Sequence, residues 1–476
     1  MKYVIFAGLL VSLNICASDF SVTTEPGDQV GYGVGYGNGQ YLAIWEERAG
    51  GADYDIKGVR VDTGGAIIGS EFFISTSPQT QFTPDLEFDG NNFLVVYYDN
   101  RDYFPTDSNT AIYATFVDQQ GVAGSEFLVR DTTKKLCLLW PHLAWNGSKY
   151  LVVFYLYDDN VGGGYAYDCL GQIVNSDGTN EGNIIPIAVT DSAEDHINVA
   201  SCGGKWLTAF TYGNIWEHDI YGRMVSEDGS MEEPFIICNA TEEQDMPDLA
   251  WNGSHFLVVW EDWRSGGIDV YGVRIDTNGT IVPPEINISA MDGNDLRPGV
   301  ASDGKNWLVV WWNIYDTKVH GRKIDSDGNP IGDEFLVSDG DDIELNPYIG
   351  CDGTKCLVIW SQLMPNNEYD VYGNLDYGPD FGIKENKIRV ANYVLRAYPN
   401  PFVRLTDISY QVSAKSPVSL SIYDVAGRLV KPLVNEKRAA GYYTTNWNAK
   451  GFSPGIYFAK IKAGDWTATE KLILIR

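Results

Sequence analysis

The clearest pattern in the sequence is a short apolar run that recurs along most of the chain, as in residues 256–260, FLVVW. The runs lack the 3.6-residue period of an amphipathic helix, and repeats of about 40 to 50 residues are typical of propeller blades. The pattern therefore predicts an all-β fold, with a seven-bladed β-propeller at residues 18–378. The residues that open the seven runs are 49 to 57 positions apart: Tyr41, Phe93, Tyr150, Trp206, Phe256, Trp307 and Cys356.

Each repeat divides into four strand-like segments, which in the fifth copy read PDLAW, HFLVVW, DVYGVRID and EINIS. We label them strands a to d, from the inside of the propeller to the outside. The turn Asn252-Gly253 between a and b, and Asp276 to Gly279 between c and d, supply residues that tolerate positive φ. Strand b is apolar on both faces, as expected for a sheet packed between two others. Each repeat is therefore predicted to be an antiparallel meander.

One position of strand c is a glycine in six copies and an alanine in the second. Glycine weakens a strand, so a bulky side chain is expected to lie against the bare backbone. We expect that side chain to be the aromatic residue at the end of strand b. The positions are Gly58, Ala114, Gly171, Gly222, Gly272, Gly321 and Gly373.

A ring of blades must join its last blade to its first, or it leaves sheet edges open. The seventh copy has no strand d before residue 379. Residues 18–23, SDFSVT, resemble the d strands at residues 70–75, SEFFIS, and 333–338, DEFLVS. The N-terminal segment is therefore predicted to be the outer strand of the last blade.

Residues 1–17 have the pattern of a secretory signal peptide, with Lys2, an apolar stretch and a small residue at Ala17. Cleavage after Ala17 is the first hypothesis, and acylation of Cys16, as in a lipoprotein, is the alternative. Later apolar runs are shorter than the roughly 18 residues that a membrane-spanning helix needs. The mature chain is thus expected to be exported, without a transmembrane segment.

Six cysteines remain after Cys16, an even number that suits an oxidising compartment. In most copies the last residue of strand a and the first of strand b are both aromatic. The seventh copy has Cys351 and Cys356 at these two positions, which predicts a cross-strand disulfide. Two further pairs are suggested by proximity in the repeat alone: Cys202 with Cys238, and Cys137 with Cys169.

Charge is distributed very unevenly along the chain, which has a formal net charge of −30. Residues 383–476 hold 15 basic and 6 acidic residues, a net charge of +9, and the rest hold 19 basic and 58 acidic residues, a net charge of −39. An acidic body repels phosphates, so nucleic acids and anionic lipids are not expected partners. The change in composition predicts a linker at residues 379–388 and a separate domain at 389–476.

The C-terminal segment alternates apolar and polar residues over short strands, which predicts a small immunoglobulin-like β-sandwich. Its sequences YPNPF at 398–402, IYDVAGR at 422–428, GIY at 455–457 and KLILIR at 471–476 resemble the type A sorting domain of the type IX secretion system and the related FlgD-like immunoglobulin fold. The residues that carry the resemblance are Tyr398, Pro399, Asn400, Pro401, Gly427, Gly455, Lys471 and Arg476.

The resemblance implies a protein that crosses the outer membrane by interaction of this tail with the type IX secretion machinery, and that is then secreted or held at the cell surface. A purely structural sandwich is the alternative interpretation.

Few residues of the sequence form a pattern typical of a catalytic or metal-binding site. Its five histidines are scattered, without the close spacing of a zinc site, so neither a metal nor another cofactor is predicted. The DTNG turn at 276–279 and the DSDG turn at 325–328 cluster oxygen atoms as calcium loops do, but a turn role explains the same residues.

Candidate site residues come from strand a, which lines the axial end of a propeller: Asp85 and Asp248 stand at its second position, and Glu87 stands two positions farther along. Asp85, Glu87 and Asp248 are candidates for the two carboxylates of a glycoside hydrolase. Hydrogen-bonded polar groups around the axis are the alternative, which we favour.

Ligand-binding candidates are three axial residues and three residues at the loops after strand b. Aromatic rings beside charged groups can stack on sugars, although an acidic residue followed by arginine also forms a local ion pair. Binding of a protein or glycan, including adhesion, is the leading hypothesis. A secreted carbohydrate-active hydrolase or lyase and a structural surface component are the alternatives. The candidates are His142, Asn198, Tyr348, Trp263, Arg264 and Trp312.

Overall fold

The computed structural model is built entirely from β-strands and turns in the residues that it describes. The described part of the chain has no helix that is long and apolar enough to cross a membrane. The chain forms two compact units, Met1–Asp380 and Phe381–Arg476. The described residues are 19–23, 27–48, 53–101, 110–131, 136–158, 166–214, 217–289, 293–338, 342–375, 395–398, 402–412, 416–425, 427–438, 441–463 and 466–475. The predicted signal peptide, the Cys16 alternative and the predicted linker lie outside them.

The described residues of the first unit form 28 strands in chain order. The N-terminal strand and the first three blades are β1 (Phe20–Ser21), β2 (Asp28–Gly37), β3 (Gln40–Arg48), β4 (Asp55–Asp62), β5 (Ile67–Ser75), β6 (Gln81–Phe88), β7 (Phe93–Asp99), β8 (Ala111–Val117), β9 (Phe127–Arg130), β10 (Leu136–Trp145), β11 (Lys149–Asp158), β12 (Ala166–Asn175) and β13 (Asn180–Ala188). The remaining blades are β14 (Ala193–Ser201), β15 (Lys205–Asn214), β16 (Glu217–Ser226), β17 (Phe235–Cys238), β18 (Gln244–Trp251), β19 (Phe256–Asp262), β20 (Asp269–Ile275), β21 (Ile281–Asn287), β22 (Asp295–Ser302), β23 (Trp307–Asn313), β24 (Lys318–Ile324), β25 (Pro330–Leu336), β26 (Ile343–Cys351), β27 (Cys356–Leu363) and β28 (Tyr369–Leu375).

These strands form seven antiparallel four-stranded sheets, which confirms the predicted seven-bladed propeller. The innermost strands β2, β6, β10, β14, β18, β22 and β26 each contact the next, and β26 contacts β2, so the ring is closed. The second strand of a blade is sandwiched between neighbouring sheets, and every residue of Phe256–Asp262 is buried. Aromatic and aliphatic side chains between the blades thus hold the ring together.

The outer strand of the seventh sheet comes from the N-terminus. Phe20 pairs with Gly373 and Ser21 pairs with Tyr372. Just beyond this pairing, the backbone N–H of Val22 donates to the carbonyl oxygen of Val371 at 2.8 Å. The side chain of Val22 is fully buried, in one cluster with residues of the first and last blades. The two ends of the propeller sequence are therefore joined by a shared sheet and a shared core.

The mid-strand glycines of strand c contact the outer strand of their own blade, so the prediction that the aromatic residue of strand b lies there was wrong. A Cβ added at Gly272 would lie 2.9 Å from Ile288 Cδ1, and one at Gly373 would lie 3.1 Å from Val22 Cγ2. The side chain from the outer strand lies close to the backbone of strand c at this position, and glycine leaves the space for it. Val22 therefore takes the place in the last blade that an aliphatic residue in the outer strand, or directly after it, takes in the five other blades with this glycine: Ile74, Ile187, Ile237, Ile288 and Val337.

Cys351 and Cys356 form a disulfide at the turn between β26 and β27. In the other blades the same cross-strand position often holds two aromatic rings, such as Trp145 and Tyr150 with centroids 4.6 Å apart. A covalent bond thus replaces an aromatic contact at one turn.

The two other suggested disulfides are not formed, and the strand order explains why. Cys137 and Cys169 lie on the two sides of β11, opposite Tyr157 and Tyr155. Strands two apart are separated by roughly 9 to 10 Å, beyond the Cα separation that a disulfide spans. Cys202 follows the innermost strand of the fourth blade and Cys238 ends its outermost strand, so the pair is even farther apart.

In the second unit, the described residues form two sheets that enclose one hydrophobic core. Its strands are β29 (Leu395–Tyr398), β30 (Leu405–Val412), β31 (Ser416–Asp424), β32 (Leu429–Arg438), β33 (Gly441–Asn448), β34 (Gly455–Ala463) and β35 (Trp466–Leu474). The sheets have the orders β29-β30-β33 and β32-β31-β34-β35. The core contains Ile408, Tyr410, Leu420, Trp447 and Leu472.

The residues of the sorting resemblance are spread over this unit. Tyr398 ends β29, Lys471 lies in β35, and Gly455 begins β34. Gly427 has φ +75° and closes the turn from β31 to β32, where its N–H donates to the carbonyl oxygen of Asp424 at 2.9 Å. Pro399, Asn400, Pro401 and Arg476 lie outside the described residues.

Candidate functional site

Every innermost strand has a bulge near the end at which strand b leads into strand c, which we call the upper end of the propeller. Six of the seven bulges hold a non-glycine residue with φ between +44° and +54°. Such a backbone is uncommon in non-glycine residues, costs energy, and is concentrated at functional sites. The residues at these bulges are Thr83, Trp140, His196, Met246, Arg297 and Asn346.

Some of these bulge residues meet near the axis, where we define the axial cluster as Tyr32, Trp140, His196, Arg297 and Tyr348. The guanidinium carbon of Arg297 lies 5.3 Å from the Trp140 ring centroid. The rings of Trp140 and His196 are 5.7 Å apart, and those of Tyr32 and Tyr348 are 5.9 Å apart. All five side chains are half-buried. The cluster therefore combines a cation with aromatic faces that remain partly accessible.

Arg297 differs from Arg101 and Arg264, two other half-buried arginines of the blades, in its partners. Arg101 and Arg264 each form ion pairs with two carboxylates. The guanidinium of Arg297 has a weak contact with the sulfur of Met246 at 3.7 Å, and it forms no ion pair with any described residue. Its backbone N–H donates to Glu261 Oε1 at 2.7 Å, which fixes the bulge. The positive charge of Arg297 is thus held in place but not neutralised by a contact.

Two buried glutamates each accept a hydrogen bond from the bulge of the blade that follows their own. Glu46 accepts the backbone N–H of Thr83, as Glu261 accepts that of Arg297. Burial raises the pKa of Glu46 to about 8 and that of Glu261 to about 7. Both carboxyls therefore carry less than a full negative charge near neutral pH.

The predicted axial carboxylate Asp85 links the second blade to the third. Its Oδ1 accepts the N–H of Leu86 at 2.8 Å. Its Oδ2 accepts the N–H of Leu143 at 3.3 Å and lies 3.1 Å from His142 Nδ1. Asp85 and His142 are thus brought together, as two polar groups that tie adjacent inner strands.

Asp248 has the same role farther around the ring. Its Oδ1 accepts from the N–H of Leu249 at 2.9 Å and from Asn198 Nδ2 at 2.7 Å. Its Oδ2 accepts the N–H of Val300 at 2.7 Å. Burial raises the pKa of Asp248 to about 6, although these hydrogen bonds oppose the rise. Three neighbouring blades are therefore joined through one carboxylate.

Glu87 lies on the same face of β6 as Asp85, two residues farther along the strand. Burial and the charge of Asp85 raise the pKa of Glu87 to about 8. A carboxyl that keeps its proton at neutral pH can donate a hydrogen bond or a proton. The structure brings Asp85 and Glu87 together and places Asp248 three blades away.

The loop candidates have mainly structural contacts. Arg264 Nε donates to Asp262 Oδ1 at 2.8 Å, and its guanidinium also pairs with Glu285 and lies 4.4 Å from the Tyr271 ring centroid. The N–H of Trp263 donates to the carbonyl oxygen of Glu243 at 3.0 Å. These bonds pin the loop between strands b and c.

Trp312, which the sequence pattern placed in a loop, lies in a strand. It lies in β23, opposite Leu296 of β22 and Val319 of β24. Strand b continues beyond its apolar run in other blades as well, for example to Asp262 in β19, so the loop begins later than the repeat suggested.

The turns that suggested calcium use their carboxylates internally. Asp276 Oδ1 accepts the N–H groups of Asn278 and Thr280, both at 2.8 Å. Asp325 Oδ1 accepts those of Asp327 and Asn329 at 2.9 and 2.7 Å. Such side-chain to backbone bonds are the ordinary function of aspartate in a turn.

A second group of polar residues was missed by sequence reasoning. Asp195, His218 and Asp245 each present one ligand atom, and these three atoms lie within 4.8 Å of one another. The residues come from β14, β16 and β18, in two blades. Their long and irregular separations hide the group in the sequence. The signal that existed was an aspartate just before the bulge in two consecutive copies.

The second unit matches a known protein family. Residues 396–475 match the family described as the secretion system C-terminal sorting domain. The resemblance inferred from the tail is thereby confirmed, and the sorting domain indicates export to the cell surface or secretion. No curated protein sequence matches the chain.

Several solved structures are similar to the chain at low identity. A protein of unknown function from Dyadobacter fermentans DSM 18053 is 10% identical over 76% of this chain and 98% of that chain, with a TM-score of 0.45. The β-propeller domain of the Trilobed protease from Pyrococcus furiosus is 11% identical over 73% and 95%, with a TM-score of 0.42. A Trypanosoma rangeli sialidase is 9% identical over 86% and 85%, with a TM-score of 0.42. At these values the fold rests on the strand topology of the chain itself.

Proposed function

From the premise that residues 396–475 are a secretion-system sorting domain, we propose that the exported propeller binds an acidic glycan at the axial cluster and does not cleave it. The sorting domain interacts with the type IX secretion machinery and brings the propeller to the cell surface or the medium. The propeller then acts as a rigid binding module. The ligand class is an oligosaccharide that carries carboxylates, such as one containing uronic acids.

The observation that carries this proposal is the contact between Arg297 and Trp140, 5.3 Å apart on opposite sides of the axis. A guanidinium presents a fork of N–H groups that matches a carboxylate, and no described residue of the chain supplies that carboxylate. An indole face packs well against the C–H face of a sugar ring. A cation beside a partly accessible aromatic ring suits an acidic sugar.

The surrounding charge supports the same ligand. Because Glu46 and Glu261 have raised pKa values, they repel an anion less than two full charges would. Burial also raises the pKa of Tyr32 and Tyr348, which keeps both hydroxyls protonated. The groups nearest to Arg297 therefore oppose a bound anion less than the acidic composition of the unit suggests.

Catalysis is the competing hypothesis, and its best residue is Glu87. A hydrolase requires a protonated acid and a second carboxylate free to act as base or nucleophile. Asp85 and Asp248 instead accept two and three hydrogen bonds, respectively, in addition to the contact of Asp85 with His142. Because these hydrogen bonds occupy both carboxylates, glycan binding is favoured over glycan cleavage.

A glycan array tests the proposal. The full-length exported chain is applied to neutral and acidic oligosaccharides, and bound sugars are analysed by mass spectrometry. Binding should be confined to acidic glycans, which should be recovered intact. The variant Arg297→Met should lose the signal, and Arg130→Met, which removes an exposed arginine, should keep it. Cleaved products, or equal binding by both variants, would overturn the proposal.

A further inference from the structure

His218 is a buried polar side chain without a hydrogen-bond partner among the described residues. It is 7% exposed, and both ring nitrogens are buried and unpaired. Its nearest carboxylate contact is Glu243 Oε1, 3.6 Å from Nδ1, which is longer than a hydrogen bond. A buried imidazole that makes no hydrogen bond is costly, and such groups call for an explanation. A metal ion that accepts a nitrogen lone pair supplies one.

The surroundings of His218 contain the other ligands that such an ion needs. One carboxylate oxygen of Asp195, one of Asp245 and one ring nitrogen of His218 lie within 4.8 Å of each other. Ligand atoms about 2.1 Å from a tetrahedral ion are roughly 3.4 Å apart, so a small closure brings the three to bonding distance. The side chains of Asp195 and Asp245 are mostly buried.

The three residues lie in hydrogen-bonded strands, Asp195 and Asp245 directly before the bulges, so their backbones are held in place without a ligand. The Thr211 hydroxyl donates to Asp195, which orients that carboxylate. Thr211 is itself fully buried, in the strand between those of Asp195 and His218. Supporting hydrogen bonds of this kind orient ligands in metal sites.

The charged groups around His218 favour a bound cation. Three carboxylates, those of Asp195, Asp245 and Glu243, surround the group. The ring of His196 lies between the two aspartates, with Nδ1 2.8 Å from Asp245 Oδ1 and 3.4 Å from Asp195 Oδ1. Three carboxylates thus lie beside two imidazole rings, those of His196 and His218, so a divalent cation is favoured electrostatically.

We propose that Asp195, His218 and Asp245 bind a divalent first-row transition-metal ion such as Zn²⁺, which links the fourth blade to the fifth. The mixture of imidazole and carboxylate ligands suits this class of ion better than Ca²⁺, which prefers oxygen alone. The proposal differs from the prediction of no metal site. It does not rest on the proposed glycan binding, because the ion joins two blades whatever the axial cluster binds.

The test is titration calorimetry with ZnCl₂ on the tag-free full chain, dialysed against a chelator and then against metal-free buffer. One equivalent should bind, and the melting temperature should rise on addition of Zn²⁺. His218→Ala should weaken the affinity at least 100-fold and abolish the rise. His255→Ala, which changes a histidine of a surface turn, should do neither. Equal affinity of His218→Ala and the wild type would overturn the proposal.

A spectroscopic readout covers the case in which His218→Ala does not fold. Co²⁺ added to the wild-type chain should give the intense visible spectrum of a site with nitrogen and oxygen ligands, and Zn²⁺ should displace it. A spectrum identical to that of aqueous Co²⁺ would overturn the proposal. Glycan binding by the same sample is measured separately, so the failure of one proposal is distinguishable from the failure of the other.

Discussion

The guanidinium of Arg297, in the sixth blade, lies 5.3 Å from the ring centroid of Trp140, in the third blade. The two residues occupy the same position of the repeat, at bulges where φ is +54° and +50°. Blades three and six are not neighbours, so the contact crosses the axis of the propeller. The bulge therefore converts a repeated strand into a set of side chains that meet at one place.

Removal of the Trp140 ring should weaken ligand binding without unfolding the propeller. Trp140 is half-buried: its ring lies near Arg297 at the axis and also packs at the edge of the core between the third and fourth blades, so a modest loss of stability is expected beside the loss of binding. Loss of one stacking and cation–π partner corresponds to about 1–2 kcal/mol, a 5- to 30-fold lower affinity for an acidic glycan. Calorimetry on Trp140→Ala measures the change. An unaltered affinity would remove Trp140 from the site.

Val22 should stabilise the closed ring, because it fills the outer position of the last blade. Val22→Ala deletes two buried methyl groups and should lower the free energy of unfolding by about 2 kcal/mol. Deletion of residues 19–23 should cost more, since the backbone bonds to Val371 are also lost. Urea unfolding of the full chain provides the measurement.

The matched control for this prediction is Val122→Ala. Val122 is 61% exposed, so its truncation should change stability by less than about 0.5 kcal/mol. If both valine variants unfold at the wild-type urea concentration, the N-terminal strand does not stabilise the ring.

The disulfide between Cys351 and Cys356 should contribute about 2 kcal/mol, because it closes a short loop across one turn. Cys351→Ala combined with Cys356→Ala should lose this amount. A second double variant, Cys351→Trp with Cys356→Phe, installs the pair seen at Trp251 and Phe256, whose centroids are 4.8 Å apart, and should recover part of it. Stability of the wild type that is insensitive to reductant would contradict the prediction.

Glu46 should make the propeller less stable as the pH rises. Burial raises its pKa to about 8, so the folded state holds the proton more tightly than the unfolded state does. The free energy of unfolding should then fall between about pH 4.5 and pH 8. Glu46→Gln keeps an oxygen that accepts the Thr83 N–H and removes the titration. Its stability should exceed that of the wild type by at least about 1 kcal/mol at pH 8, with a smaller difference at pH 5.

Asp248 should be needed for the structure of the ring. Asp248→Ala leaves the N–H groups of Leu249 and Val300 and the amide of Asn198 without their acceptor, which should cost about 2–4 kcal/mol. Asp248→Asn, which keeps one oxygen, should lose less. Thermal unfolding compares the two. A variant that is fully stable yet abolishes cleavage of a glycan would instead assign Asp248 a catalytic role.

The blades could be predicted from the sequence because their determinants are local. Apolar runs, Asn-Gly and Asp-Gly turns and the strand c glycines repeat at fixed spacing, and each has a direct structural meaning. The relation between residues 18–23 and the d strands likewise needed only pattern matching. What lies against Gly272 could not be read in this way, because contact with Ile288 depends on how closely two strands approach.

Less of the candidate site could be predicted from the sequence. Positive φ at Trp140 and Arg297 follows from bulges that no single residue type marks, and neither residue was selected as a candidate. His218 was set aside because its partners are distant in sequence. Asp85 was selected for its chemistry, but its hydrogen bonds to the next blade depend on the ring as a whole.

The most direct measurement is the affinity of the full chain for an acidic oligosaccharide and for the same oligosaccharide with its carboxyl groups reduced to alcohols. The wild type should bind the acidic form at least 10-fold more tightly, and Arg297→Met should bind both forms equally and weakly. Equal affinity of the wild type for the two forms, or an undiminished preference in Arg297→Met, would contradict the proposed recognition at the axis.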